Sequence, residues 1–234
     1  MQYLLTYQAR VFVPHEDHRA ALVTLFNIRG AAAGVEHNWQ RLEFGAEATN
    51  MLAAEPGSLV AAYLRATSHT QRSGYLDSLR QSGLDEISLV QSAALQGLGS
   101  NPSLTLLIAT TAVITGDISA IQQLLVNGQG AGVSPALTQL QEQLQPSETA
   151  DLLAFAIQQA PAGNASLAIA AWGPRLHGHS ASRDLLITTL ADPDLGAAAA
   201  LALAQNPDIQ TIRDLQATAA KDSIAGQRAQ MALD

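Results

Sequence analysis

Three groups of side chains in this sequence carry atoms able to do chemistry, and their spacing decides what each could do. His15, Glu16, Asp17 and His18 stand together, and the two histidines are three residues apart, the spacing of ligands on one helix face. Pro14 just before them predicts a turn instead, so the group reads as a solvated polar turn. His177-Gly178-His179 follows Gly173-Pro174, a loop able to present both imidazoles outward, but no carboxylate lies in the segment to complete a metal site. Asp184, Asp192 and Asp194 lack the alternating oxygen ligands and closing glutamate of a calcium loop. The serines between Ser58 and Ser92 have no G-x-S-x-G elbow around them, and no glycine pattern suits a phosphate. With no cysteine, thiolate catalysis, disulfides and Cys-ligated zinc are excluded. These readings assign no catalytic, cofactor-binding or metal residue and no cofactor, and leave the partner-binding residues unassigned.

Elements able to position a partner are easier to read. The chain has 234 residues, only 4% of them aromatic, and it is rich in alanine, which favours closely approaching helices. Charged residues make up 14% and the net charge is −8, which argues against a nucleic-acid backbone as partner. The single lysine, Lys221, excludes a polybasic membrane patch. No apolar run is long enough to span a bilayer. The N-terminal stretch lacks the charged start and apolar core of a signal peptide, which predicts a cytoplasmic protein, or a periplasmic or secreted one if a leader has been removed.

Residues 2–13 alternate with Tyr3, Leu5, Tyr7, Ala9, Val11 and Val13 on one side, a strand signature, and Leu22, Thr24, Phe26 and Ile28 alternate again. Between 36 and 48 two patterns compete. Val35, Trp39, Leu42 and Ala46 fit a helix, while Asn38, Gln40, Leu42 and Phe44 fit a third strand. The expectation is a small β-meander over residues 1–50, closed by Glu55-Pro56-Gly57. Residues 57–234 then read as helices at 58–68, 73–82, 86–98, 102–115, 118–127, 135–145, 148–160, 164–172, 181–191, 193–204, 207–219 and 222–232. Asn101-Pro102, Ser134-Pro135, Asp192-Pro193 and Asn206-Pro207 each put a capping residue before a proline. Asn164 reads as a further N-cap, and Trp172 as a core residue.

The stretch Asp184 to Leu203 sets the architecture. Asp192-Pro193-Asp194 separates two apolar helices, with Asp192 as N-cap, and Leu195, Ala198, Ala199, Ala202 and Leu203 form one stripe of the second. Such a pair buries only a thin strip and needs neighbours on both sides. Asp192, Ala199, Ala202 and Leu203 recur 30 residues later as Asp222, Ala229, Ala232 and Leu233. A second set, Ala94, Leu98, Asn101, Pro102 and Asp117, recurs at an offset of 105. The repetition pairs 73–82 with 86–98, 102–115 with 118–127, 148–160 with 164–172, 181–191 with 193–204, and 207–219 with 222–232, leaving 135–145 over. The apolar end at Leu233 suggests an array able to continue.

A Leu-rich helix, Asp-Pro-Asp, then Leu-x-x-x-Ala-x-x-Ala-Leu resembles a HEAT repeat. That resemblance implies an armadillo-like α-α superhelix of helical hairpins and a non-enzymatic scaffold holding a protein or peptide on a curved surface. It departs from the family at Gly196, where an arginine is usual, which puts the ladder of polar contacts between repeats in doubt. Tyr3-x-Leu5-x-Tyr7-x-x-x-Val11, followed by helices including ITGDISAIQQLL and QPSETADLLAF, is similar to the start of vitellogenin-type large lipid-transfer proteins. That second resemblance implies lipid or apolar-ligand binding.

Overall fold

The computed structural model describes residues 2–7, 9–14, 20–205 and 207–234. Among them fourteen α-helices dominate, so the chain is mainly α. The strand expected over 2–13 divides. Its start is a short helix, α1 (Gln2–Thr6), in which the Thr6 hydroxyl donates to the Tyr3 carbonyl at 3.0 Å. Tyr3 and Tyr7, one turn apart, bring their ring centroids to 5.7 Å. Spacing of four suited a helix as well as alternation suited a strand. After it, β1 (Ala9–Pro14) pairs antiparallel with β2 (Ala20–Phe26), Pro14 opposite Ala20 and Val11 opposite Val23.

The expected β-meander does not form. Its third segment lies inside α2 (Ile28–Ala54), a helix of 27 residues. Asn27 accepts the Gly30 N–H at 2.9 Å and starts the helix, and the alanines at 31–33 favour its continuation. The helical reading of Val35, Trp39, Leu42 and Ala46 therefore prevails over the alternating one.

The chain divides into two compact units, Met1–Ser82 and Gly83–Asp234. In the first, α3 (Ser58–Arg65) and α4 (His69–Leu79) pack with α2, and α1 packs on α2 as well. The contact between α2 and α4 is close because it is stripped of side chains. A Cβ on Gly74 would meet the Arg41 carbonyl at 2.5 Å, and one on Gly45 would meet the Gly74 carbonyl at 3.4 Å. Phe44 and Tyr75 close one flank edge-on, their rings 6.3 Å apart. Within this unit the main partner of α4 is α2.

The second unit holds α5 (Leu84–Gly97), α6 (Thr105–Thr115), α7 (Ile118–Asn127), α8 (Val133–Gln143), α9 (Pro146–Gln159), α10 (Ala162–Trp172), α11 (Ser180–Thr189), α12 (Gly196–Ala204), α13 (Ile209–Ala219) and α14 (Ile224–Leu233). Every helix expected after residue 57 is present, with ends moved by a few residues. The pairs α6–α7, α9–α10, α11–α12 and α13–α14 pack against one another, as do α5 and α6. Each helix also leans on the next but one. The succession α5, α7, α9, α11, α13 makes one row and α6, α8, α10, α12, α14 the other, which gives the left-over helix α8 a regular place.

Between and inside the rows the core is aliphatic: Leu107, Ile108, Ile121, Leu124, Leu137, Leu153, Ile169, Leu186 and Leu203 are fully buried, with Trp172 the largest side chain among them. The stripe of α12 faces inward as its spacing predicts, with Leu195, Ala199, Ala202 and Leu203 buried and Ala198 half-buried. Asp192 does accept backbone N–H bonds, from Asp194 at 2.9 Å and Leu195 at 2.8 Å, but these belong to a turn. The helix itself begins at Gly196 rather than Pro193. Asn101 caps a short 3-10 turn, accepting the Ser103 N–H at 3.2 Å. Ser134-Pro135 lies inside α8 and caps nothing, while Asn206 falls outside the described residues.

Candidate interaction surfaces

The polar groups singled out by spacing serve the scaffold. The group at 15–18 lies outside the described residues. The two loop histidines do not face outward together. His179 is exposed, with Nδ1 3.0 Å from the Ser182 hydroxyl, whereas His177 is buried and its Nε2–H donates to the Gln205 carbonyl at 2.8 Å. Arg183 continues this junction, donating to the His177 carbonyl and, from Nε, to Asp214 on α13 at 2.9 Å. Asp184 is exposed on α11. Several of the serines bond back to helix carbonyls: Ser78 to Tyr75, Ser82 to Ser78, Ser88 to Leu84 and Ser92 to Ser88. Ser73 stands 3.3 Å from His69 Nδ1 on the exposed side of α4. Among the described residues no three metal-capable side chains converge.

What spacing did not reveal is a set of polar side chains in residues 83–234 that reach from one helix to another or to the loop that follows it. Gln91 on α5 donates to Asp117, the N-cap of α7, at 2.6 Å and accepts from Thr115 at 3.0 Å. Asn164 is not a cap of its own helix. From α10 its amide donates to the carbonyls of Leu125 and Gly128, 2.8 and 2.9 Å away at the end of α7. The Trp172 indole donates to the Leu137 carbonyl at 2.9 Å. Arg228 on α14 spreads its guanidinium over the carbonyls of Leu190, Asp192 and Pro193, which follow α11. A helix C-terminus leaves carbonyls without partners of its own, and Asn164 and Arg228 satisfy such groups across the packing interface at the ends of α7 and α11.

Gly196 belongs to the same arrangement. A Cβ there would fall 1.9 Å from Arg228 Nη1, so the missing side chain is the space that the guanidinium occupies. The guanidinium beside Gly196 comes from α14, 32 residues later in the chain, and nothing local in the sequence connects the two.

The two rows differ in what they show to solvent. In the first, Asp85, Glu148, Asp151, Asp184 and Arg213 are exposed, the ordinary polarity of a solvated helix. In the second, α6, α10 and α12 contain no charged residue at all. Their outward positions are Leu106, Ala162, Gly163, Ala170, Ala197, Leu201 and Ala204. These three helices are uncharged, while α8 of the same row exposes Glu142, and over α10 and α12 the outward positions are mostly small side chains that let another backbone come close.

In the first unit, α2 and the end of α4 border an open groove of about 690 Å³ whose lining includes Asn38, Leu42, Ala46, Thr49, Arg80 and Gln81. Arg41 grips Asp77 with two parallel N–H donors, Nε to Oδ2 and Nη2 to Oδ1, the second at 2.8 Å. Arg80 adds a third donor at 2.9 Å. The Arg41 hydrogen bond, opposed by partial burial and aided by both positive charges, holds the Asp77 carboxyl below its ordinary range and raises Arg41 in turn. Beside the groove Val35, Trp39 and Leu42 stand exposed, Trp39 at 56% and Leu42 at 62%, unusual for side chains of that size on one helix face. Trp172 is core as expected. No described helix is long and apolar enough to cross a membrane. Comparison with models of known families, with curated proteins and with solved structures returns no match to this chain.

Proposed function

We propose that the chain is a non-enzymatic interaction scaffold in which residues 83–234, rather than all of 57–234, form a HEAT-like α-solenoid that holds a protein or peptide partner on a curved surface. One observation carries the reading: within the second row, α6, α10 and α12 present exposed positions without charge, made largely of alanine and glycine on α10 and α12. A face meant only for water normally carries charge, whereas a small-residue face allows a partner's backbone to approach to packing distance. The next-but-one packing of the helices supports the solenoid part of the proposal, because contacts confined to neighbours are how such arrays are built.

Photo-crosslinkers placed at Leu201 and at Asp184 test the surface. The scaffold reading expects one specific partner captured from Leu201 in the native host, little from Asp184, and loss of that capture in Ala197→Glu with helix content unchanged. Equal capture from both rows sinks it, as does a turnover activity abolished by replacing one polar residue. Lipid or apolar-ligand binding is the other reading that the chain's resemblances raise, and no geometry described above favours it. Native mass spectrometry of purified protein separates the two, since a co-purified lipid of stoichiometric amount would favour the lipid reading.

A further inference from the structure

The exposed stripe of α2 has a period of its own. Val35, Trp39, Leu42 and Ala46 follow one another at steps of four, three and four, the spacing of a coiled-coil seam, and all four are exposed to solvent. Read as a heptad, Trp39 and Ala46 take the a positions, and Val35 and Leu42 take the d positions. A seam of this period fits a second helix alongside better than it fits a flat surface or an extended peptide.

The edges of the seam say which helix. Glu36 and Glu43 follow the two d residues and line one edge. Asn38 and Gly45 line the other, and behind them sits the Arg41–Asp77–Arg80 cluster with one positive charge in excess. In two helices running parallel about a two-fold axis, each edge meets the opposite edge of the partner. In an antiparallel pair each edge meets its own kind. An acidic edge and a basic edge on the same seam are therefore complementary to a parallel second copy of the same helix. Gly45 and Ala46 keep the basic edge low, leaving the groove beside it open to a long side chain.

We infer that α2 is a homodimerisation helix: two copies of this chain associate through a parallel pairing of Val35, Trp39, Leu42 and Ala46, with Glu43 of each copy facing the Arg80 edge of the other. Trp39 meets its own copy across the axis and is the anchor of the contact. The inference concerns residues 28–81 alone and does not rest on the scaffold reading of the helical rows.

Sedimentation of the full chain from low micromolar to near-millimolar concentration reads the association directly. A dimer is expected, weakened by salt, and Trp39→Glu should raise its dissociation constant at least about thirtyfold without changing helix content. Glu43→Arg should weaken it less, and adding Arg80→Glu should recover part of the loss. Because the chain has no cysteine, Val35→Cys gives a clean test of direction: a d residue lies opposite its own copy only in the parallel arrangement, so mild oxidation should link the two chains. A chain that stays monomeric throughout overturns the inference. So does a dimer indifferent to Trp39→Glu, or one in which Val35→Cys forms no cross-link.

Discussion

In residues 1–82 a single helix of 27 residues collects its neighbours, and its contact with α4 includes two glycines, the Phe44–Tyr75 edge and one bidentate ion pair. In residues 83–234 the helices are 9 to 14 residues long, and each packs on the next but one. Partners in the first unit lie about thirty residues apart, and losing the α2–α4 contact leaves α2 with little else to bury its face. In the second unit a lost contact is flanked by others of the same kind. Perturbations should therefore act on the first unit as a whole and on the second locally.

The largest effect expected tests the local half of that contrast. Trp172→Ala empties the largest buried site of the second unit and leaves the Leu137 carbonyl without its indole donor. A cost of about 3–5 kcal/mol is expected. Hydrogen exchange should speed up in α8, α10 and α12, with α5 and α14 much less affected. Equal loss of protection from α5 to α14 would mean that the unit behaves as one globular core.

Two overpacking substitutions set the units side by side. Gly74→Val drives a side chain into the Arg41 carbonyl, and Ala199→Leu enlarges a fully buried position on α12. Each should cost about 1–3 kcal/mol. Gly74→Val should release protection over the whole of α2 and α4. Ala199→Leu should release it from about α11 onward and leave α5 to α7 nearly unchanged. The same distribution of loss for both would remove the contrast.

A smaller effect isolates the cross-helix ladder. Gly196→Ala collides with the Arg228 guanidinium, and Arg228→Ala strips three carbonyls of their donor. Made together, the two changes lose the collision with the guanidinium and keep only the 2.6 Å approach of the new Cβ to the Leu190 carbonyl, so the double variant should be less destabilised than the sum by about 0.5–1.5 kcal/mol. Strict additivity in a denaturation cycle would show that the guanidinium is not held over Gly196 in solution.

How far the sequence revealed this molecule differs between the same two regions. The short helices after residue 57 are punctuated by caps, prolines and glycines, such as Asp117 before α7 and Gly116 at φ 65° after α6. Local chemistry of that kind is readable from the chain. Residues 2–48 carry such punctuation at Pro14 and Asn27 but not between the competing patterns, and their large side chains satisfy two periods at once: Tyr3 and Tyr7 fit a helical turn or a strand face, and Leu42 belongs to both competing patterns. Burial of Phe44 against Tyr75, a contact 31 residues away, helps to decide between them, and no window of neighbours contains it. The ladder was hidden for the same reason, since Arg228 and Asn164 find their carbonyls 35 to 39 residues away. Trp39 was visible as a large side chain but its exposure was not, because the strand reading of 36–48 gave it no helical face.

The smallest effect expected depends on pH and again separates the units. The Arg41 guanidinium, with Arg80 beside it, holds the Asp77 carboxyl below its ordinary range in the folded chain. A carboxyl depressed in this way binds fewer protons folded than unfolded, so its contribution to stability is complete above the unfolded value of about 3.9 and is lost as pH falls through the folded value. Most of the ladder of the second unit ends on backbone carbonyls, which do not titrate. Asp208 is likewise depressed, chiefly by the Thr211 backbone N–H, but its carboxyl is open to solvent and counts for less. Acidification below about pH 4 should therefore loosen residues 1–82 before residues 83–234. Trp39 and Trp172 report one unit each, and Trp39→Phe isolates the second signal. Asp77→Asn should destabilise the first unit at neutral pH and flatten its acid dependence. An acid slope identical in Asp77→Asn and the native chain would show that the pair linking α2 and α4 contributes nothing to holding the first unit together.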